Sequence, residues 1–462
     1  MKLQQLFACA ALAVMLSGLN SCSGDRVDIL DTVPADAKVV VTLNATDLCR
    51  ESGIKFDNGN VEYDPLIQGK TEKIDESCRI MARMINSNIS TLDRVVLAET
   101  SDLVFATFGI SSFPDFSNAC GDYVKWGDDA EGMHVGTTKN QSVVASDTQV
   151  WITEGSNPAA GVKALLETAK KNPISKIEGI NRALTTEALV NVAVLSKAVE
   201  GNELKAEAQQ AIWNVATVTA PDNKLAIDWC MMKGDGEKQP VKGLQQLNPA
   251  VLAYVSGDPV IAVAAGFTSD FDWNILGTLA SFSRDFQAMA MMQMALPYLS
   301  SIDGTVMLAA SPLDVTDMAD TDPGSWKFTL MAHMPQDKIN ALLDQVRALC
   351  FTSGITPKTD PRTGIISINN YGLNLYMGNV DGYMAISNHH FSDTGENPLA
   401  PLFVNKEAAA RVAIPSLKPY GPGLPAWGLN INASVAGTDG KILVTLPGTE
   451  GPVLVNILSA LI

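Results

Sequence analysis

The segment Ile365–Ile386 reads IISINNYGLNLYMGNVDGYMAI. It holds three short runs, Ile365–Ile368, Leu373–Met377 and Tyr383–Ile386. They are separated by Asn369-Asn370-Tyr371-Gly372 and Asn379-Val380-Asp381-Gly382. Asn, Asp and Gly tolerate the positive φ that two-residue hairpin turns require. Strands joined by turns this tight pair antiparallel, because a parallel crossover needs a dozen or more residues. The segment therefore predicts a three-stranded meander. Helical spacing appears nearby at Gln336–Ala348, and again at Ile74–Asn88, Ala159–Lys171, Glu203–Gln210, Trp273–Tyr298 and Pro452–Leu461. Runs rich in β-branched residues predict strands at Lys38–Leu43, Arg94–Ala98, Leu103–Phe108, Val251–Val255, Val306–Ala310 and Lys327–Met331. The expected class is α+β, mostly antiparallel sheets with packed helices.

The order of landmarks repeats along the chain. Pro34-Ala35 before the first strand is echoed by Pro249-Ala250. Trp151-Ile152 followed by Asn157-Pro158 is echoed by Tyr383-Met384 followed by Asn397-Pro398. Trp213 opens a hairpin turning at Pro221-Asp222-Asn223-Lys224, and Trp427 opens one turning at Thr438-Asp439-Gly440-Lys441. This pattern is expected of an internal duplication. The resulting division is 1–21 signal peptide, 22–32 tether, 33–244 first half and 245–462 second half.

The N-terminus reads as a targeting signal. Lys2 is followed by an apolar run, Leu6–Leu16. That run is shorter than the ~18 residues of a spanning helix and suits a signal peptide. Leu19-Asn20-Ser21-Cys22 then has the form of a lipobox, with the Cys22 thiol as acceptor of the diacylglyceryl group. Ser23-Gly24 follows in place of an inner-membrane retention Asp, and Asp25, Asp28 and Asp31 are dispersed. The expected location is the outer membrane, lipid-anchored, with periplasmic and cell-surface faces both open.

The 462 residues are 46% hydrophobic and 18% charged, the balance of a folded chain. Lys and Arg total 33 against 50 Asp and Glu, a net charge of −17. Such a surface repels nucleic acid and anionic headgroups, so no nucleic-acid partner is expected. The expected contacts are the membrane, through the lipid, and an envelope protein or glycan ligand.

The lipobox, the phrase Asp31-Thr32-Val33-Pro34-Ala35-Asp36-Ala37 before a Val-rich strand, and the repeated layout resemble a family of Bacteroidales lipoproteins of unassigned activity. The resemblance spans nearly the whole mature chain. It implies location and architecture, and no functional residue beyond Cys22.

Chemistry-bearing motifs are scarce. The sequence has no H-E-x-x-H, no G-x-S-x-G and no phosphate-binding glycine loop. His389 and His390 are adjacent, so on a strand they point to opposite faces. Beyond Cys9 and Cys22, the cysteines Cys49, Cys78, Cys120, Cys230 and Cys350 are scattered, without C-x-x-C. They suit buried thiols, while an oxidising envelope would permit a disulfide, Cys49 and Cys78 being nearest in sequence. Asp317, Asp320 and Asp322 lack calcium-loop spacing and read as a solvated loop, and Asp57-Asn58-Gly59-Asn60 reads as a turn. No cofactor or metal is expected. Met289, Met291, Met292 and Met294 read as a core helix or, alternatively, a groove for an apolar partner.

Three functions follow in order of preference: a non-enzymatic envelope binding or scaffold protein, a hydrolase of glycan or peptidoglycan with an unfamiliar carboxylate pair, and a carrier for apolar cargo. Cys22→Ser is expected to accumulate unprocessed precursor that takes up no labelled fatty acid. Normal processing of that variant would remove the lipidation claim.

Overall fold

The computed structural model describes residues 28–462 except 91, 197–210, 256, 274–297, 313–324, 371–372, 392–396, 398 and 421–423. Cys22, the signal and most of the tether lie outside the described residues. So do the expected helix 203–210, nearly all of 273–298 with its methionines, and the Asp317, Asp320 and Asp322 loop. The described chain divides into two units. The first runs to Gln239 and takes in Thr449–Ile462, and the second is Pro240–Gly448.

In chain order the first unit contains β1 (Val39–Leu43), α1 (Ala45–Glu51), β2 (Ile54–Asp57), β3 (Asn60–Tyr63) and α2 (Asp75–Asn86). Next come β4 (Val95–Glu99), β5 (Val104–Gly109), α3 (Phe113–Cys120), β6 (Lys125–Trp126), β7 (His134–Thr137), β8 (Ser142–Ala145) and β9 (Gln149–Thr153). It continues with α4 (Pro158–Lys171), α5 (Glu178–Leu184), β10 (Val190–Leu195), β11 (Ile212–Thr219), β12 (Leu225–Lys233) and β13 (Lys238–Gln239). All its strand pairs are antiparallel, in the order β6-β7-β8-β9-β5-β4-β1-β10-β11-β12-β13, with β2–β3 as a separate hairpin.

Period-two alternation lets this sheet bury side chains on both faces. Val40, Val96, Phe105, Ala193 and Trp213 face Val162 and Leu165 of α4 and Ile180 and Leu184 of α5. Leu43, Val95, Leu97, Ala106 and Phe108 face Ile80 and Met84 of α2 and Phe116 of α3. Local chemistry starts the helices. The Asn157 side chain accepts from the Ala160 amide ahead of Pro158, and Ser112 does the same for Asp115. The Asp57–Asn60 turn forms as expected, with Asn58 and Gly59 both at positive φ (47° and 79°).

The second unit contains β14 (Leu244–Gln245), β15 (Ile261–Phe267), β16 (Gly304–Pro312), β17 (Trp326–His333), α6 (Gln336–Thr352), β18 (Lys358–Thr359), β19 (Ile366–Asn370), β20 (Leu373–Val380) and β21 (Tyr383–Ser387). It ends with α7 (Ala400–Phe403), β22 (Ala408–Ile414), β23 (Leu429–Ala436) and β24 (Asp439–Thr445). Its sheet is also antiparallel, in the order β18-β19-β20-β21-β17-β16-β15-β22-β23-β24, and β14 adds to the end of β15. The meander is β19–β20–β21. Val380 pairs with Tyr383, leaving Asp381 and Gly382 as a two-residue turn at φ 50° and 84°. On one face Ala262, Ala264, Met307, Met331 and Ala385 are buried with Leu252 and Phe403. On the other, Ile366, Ile368 and Met384 pack against Ile339 and Leu343 of α6.

The large antiparallel sheet with several helices bears out the mixed class. Three local readings need correction. Val251–Val255 is not a strand: Pro249–Tyr254 is a 3-10 helix, because Asn248 caps the Ala250 amide and Pro249 presets φ. The strand arrives later, as β15. The β23–β24 turn centres on Gly437-Thr438, since Ala436 already pairs with Asp439. Gly437 supplies the positive φ (62°), and Gly440 is a strand residue. Finally, the terminal helix α8 (Val453–Leu461) packs in the first unit, where a cut at residue 245 does not place it.

The burial of α8 explains that placement. Val455 lies among Cys49, Ile54, Ile67, Cys78 and Met81, with Leu458 and Ile462 alongside. Ser459 Oγ donates to the Leu66 carbonyl at 3.0 Å, and Lys70 Nζ donates to the Ser459 carbonyl at 2.8 Å. A carboxylate placed here would have no partner. Val455→Asp is expected to detach the helix and to make Cys49 and Cys78 react with an alkylating reagent at least tenfold faster. Unchanged labelling would show that α8 does not cover them.

Candidate functional site

The second unit's sheet carries apolar side chains on both faces of the same strands, and among the described residues no interior cluster extends over part of one face. β15 alternates strictly: Ala262 and Ala264 are buried, while Val263 between them is 42% exposed. Its neighbour β16 buries Met307 and Ala309 and leaves Leu308 40% exposed. The register places Leu330, Leu308, Val263, Ala410, Ala433 and Ile442 side by side across β17, β16, β15, β22, β23 and β24. Two residues along each strand, a second row runs Phe328, Ala310, Ile261, Val412, Ile431 and Val444. Neither row contains a hydrogen-bonding side chain. Apart from the exposed Val263 and Leu308, every member is half-buried. Among the described residues, the cluster beneath α6 takes in Phe267, Val306, Ala332 and Ile386 at the margin of this face.

Strands apolar on both faces ordinarily occur in sheets covered on both sides. A contiguous, partly solvated apolar strip on such a sheet is a binding surface in the physical sense, since covering it removes hydrocarbon from water. The first unit has a shorter counterpart. Val41, Val192, Ala216 and Trp229 lie in one row across β1, β10, β11 and β12, all half-buried. The row beside it is interrupted by Asn214.

The residues singled out for chemistry do not converge. Cys49, Cys78, Cys120, Cys230 and Cys350 are buried free thiols. Burial pushes the Cys49 thiol up to about 12, with a smaller contribution from Cys78, and the Cys78 thiol up to about 11. Thiols held protonated in this way are poor nucleophiles and poor metal ligands. Cys49 and Cys78 share one cluster without being bonded. Tyr63 Oη donates to Asp75 Oδ1 at 2.9 Å, and Asp75 also accepts from Arg79 Nε at 2.8 Å, beside an open cleft of about 640 Å3. Ser52 and Lys55 have Ser-x-x-Lys spacing, but Ser52 ends α1 and Lys55 is exposed on β2, so no helix turn brings them together. Among the described residues no group of three His, Cys, Asp or Glu could hold a metal, and no helix is long and apolar enough to cross a membrane.

His389 is half-buried, with a polar partner at each ring nitrogen. Its Nε2 lies 3.0 Å from Thr329 Oγ1 and its Nδ1 lies 3.1 Å from the His390 carbonyl, above a hollow of about 40 Å3 lined by Val255 and Phe328. The carbonyl can only accept, so Nδ1 donates to it, while the threonine hydroxyl can donate to Nε2 or accept from it. Burial lowers the His389 pKa, the hydrogen bond to the His390 carbonyl opposes it, and the nearby Lys327 and His390 charges add to the lowering. The folded state therefore binds this proton less readily than the unfolded chain, whose histidine titrates near about 6.5. Stability is unaffected well above that value and is lost as pH falls through it. Unfolding midpoints should drop more between about pH 7.5 and 5 for the native chain than for His389→Gln. Equal drops would remove this role.

No family model matches the chain, and no curated protein matches it. Among solved structures, crystal forms III and I of TP0453 are similar at 14% identity, with TM-scores of 0.28 and 0.27. Each match covers 46% of this chain, and 82% and 81% of those chains respectively. A likeness at this level assigns neither fold nor function.

Proposed function

We propose that the mature chain is an outer-membrane lipoprotein, anchored through Cys22, that acts by binding an apolar ligand on the sheet of its second unit. The observation that carries the ligand class is the strip centred on Val263 and Leu308, two adjacent rows without a polar side chain. A glycan needs hydrogen-bonding groups and exposed aromatic faces, and the strip offers neither, so the apolar-cargo reading takes precedence. It rests here on the strip, not on the methionines at 289–294. The lipid anchor is read from Leu19-Asn20-Ser21-Cys22 and from the resemblance to Bacteroidales lipoproteins. Two or three acyl chains on one cysteine give durable attachment, since each buried CH2 contributes about 0.8 kcal/mol.

Duplication belongs to the same proposal. Reading outward from β1, the neighbours are β4-β5-β9-β8-β7-β6 on one side and β10-β11-β12 on the other. From β15 they are β16-β17-β21-β20-β19-β18 and β22-β23-β24. Each strand takes the same place in its unit, and a helix occupies the matching link in both, α3 before β6 and α6 before β18. Shared connectivity of ten strands supports a common origin more strongly than the scattered landmarks do.

Titration of the mature chain with an environment-sensitive apolar dye tests the binding surface. The native chain should saturate, and Leu308→Asp should weaken binding at least tenfold while keeping the native circular dichroism spectrum. Unaltered dye binding by a folded Leu308→Asp variant would relocate the site.

A further inference from the structure

Independently of the apolar strip, we infer that the cleft beside α2 binds a short extended peptide as a third strand on β3, its free amine and carboxylate held by the charged face of α2.

One wall of the cleft is an open strand edge. The hairpin turns on Asn58 and Gly59, so Asp57 and Asn60 form a hydrogen-bonded pair, and such pairs recur at every second residue. Lys55 and Glu62 are the next, and beyond them the Asp64 amide donates to the Gly53 carbonyl at 2.7 Å. Val61 and Tyr63 stand between these pairs, so their amides and carbonyls point away from β2. Among the described residues no hydrogen bond within the chain takes these groups up. Val61 and Tyr63 line the cleft and no residue of β2 does, which puts the cleft on this edge. Main-chain donors and acceptors at a two-residue spacing are what an added strand pairs with.

The other wall supplies charge. Asp75, Glu76, Arg79 and Arg83 line it from α2. Asp75 is fixed between Tyr63 Oη at 2.9 Å and Arg79 Nε at 2.8 Å, and Arg83 Nη2 lies 3.5 Å from Glu76 Oε1. Two carboxylates and two guanidiniums balance, so this wall suits a ligand carrying both signs better than a simple anion or cation. Each guanidinium keeps further N–H donors for an incoming carboxylate. β3 and α2 run in opposite directions, since Tyr63 meets Asp75 at the start of α2 and Gly59 lies against Asn86 at its end. A peptide antiparallel to β3 therefore begins beside the turn that carries Asp75 and Glu76 and ends toward Arg83. That direction matches ammonium to carboxylate and carboxylate to guanidinium, and the parallel direction sets like charges together.

The dimensions set the length. The helix rises about 12 Å from Asp75 to Arg83, which an extended chain covers in about four residues. The cleft, at about 640 Å3, has the size of a small-ligand site.

The test titrates the full-length mature protein with tetraalanine by calorimetry. Amidating the peptide's C-terminus should weaken binding to the native chain at least tenfold, and binding to Arg83→Gln by much less. Methylating the amide nitrogen of its second or of its third residue should give affinities at least tenfold apart, since only alternate amides face β3. Val61→Pro deletes one outward amide on a free edge, where proline is tolerated, and should weaken tetraalanine at least tenfold with circular dichroism unchanged. Absence of tetraalanine binding at millimolar concentration overturns the inference, and so do equal affinities for the two methylated peptides. Free alanine binding as tightly as tetraalanine overturns it in favour of a single amino acid. A native dimer that Val61→Pro disperses overturns it in favour of a second copy. Dye binding to the strip does not depend on Arg83, so failure here leaves the proposed function standing.

Discussion

The structure turns on one constraint: an antiparallel strand that is apolar at every position must bury two faces, and among the described residues the second unit's interior clusters cover only part of the second one. In the first unit α2 and α3 cover one face of the central strands, and α4 and α5 cover the other. In the second unit α6 covers the β19–β20–β21 end, and its cluster extends to Ile386, Ala332, Val306 and Phe267. Beyond that boundary Val263 and Leu308 remain partly in water although both sit on central strands. A hydrocarbon surface kept this way costs solubility, and occupation by a ligand offsets that cost.

That constraint also explains where the chemistry is not. The five described cysteines are buried and outside any disulfide, and burial raises the pKa of Cys49, Cys78 and Cys120. Burial lowers the His389 pKa against the opposing pull of its hydrogen bond to the His390 carbonyl. The ion pairs among the described residues are mostly exposed, such as Arg182 with Glu178 and Lys163 with Glu131. Exposed pairs of this kind contribute little to stability and orient nothing toward a shared point.

Much of the fold was legible because it is local. The Asp381-Gly382 turn, the Asn157-Pro158 helix start and the period of Gln336–Ala348 each depend on residues within a few positions of one another. Asn248-Pro249 misled for a related reason. Val251-Leu252-Ala253-Tyr254-Val255 looks like a strand by composition, but the capping side chain just ahead of it decides for a helix turn. The candidate site was not legible. Val263 meets Ala410 and Leu308 meets Leu330 only through pairings set by the whole topology. Each strand alone shows only that it is apolar throughout, which a fully covered strand shows equally well. The return of α8 to the first unit was hidden in the same way, since Val455 finds its partners at Cys49 and Ile67.

The most direct measurement is photo-crosslinking of the full-length mature protein with an apolar diazirine probe, followed by peptide mapping. Binding on the strip gives adducts on β15, β16, β22 and β23, with Val263 and Leu308 prominent, suppressed by the apolar dye. Adducts confined to other strands or to helix surfaces, or adducts that the dye does not suppress, would contradict it.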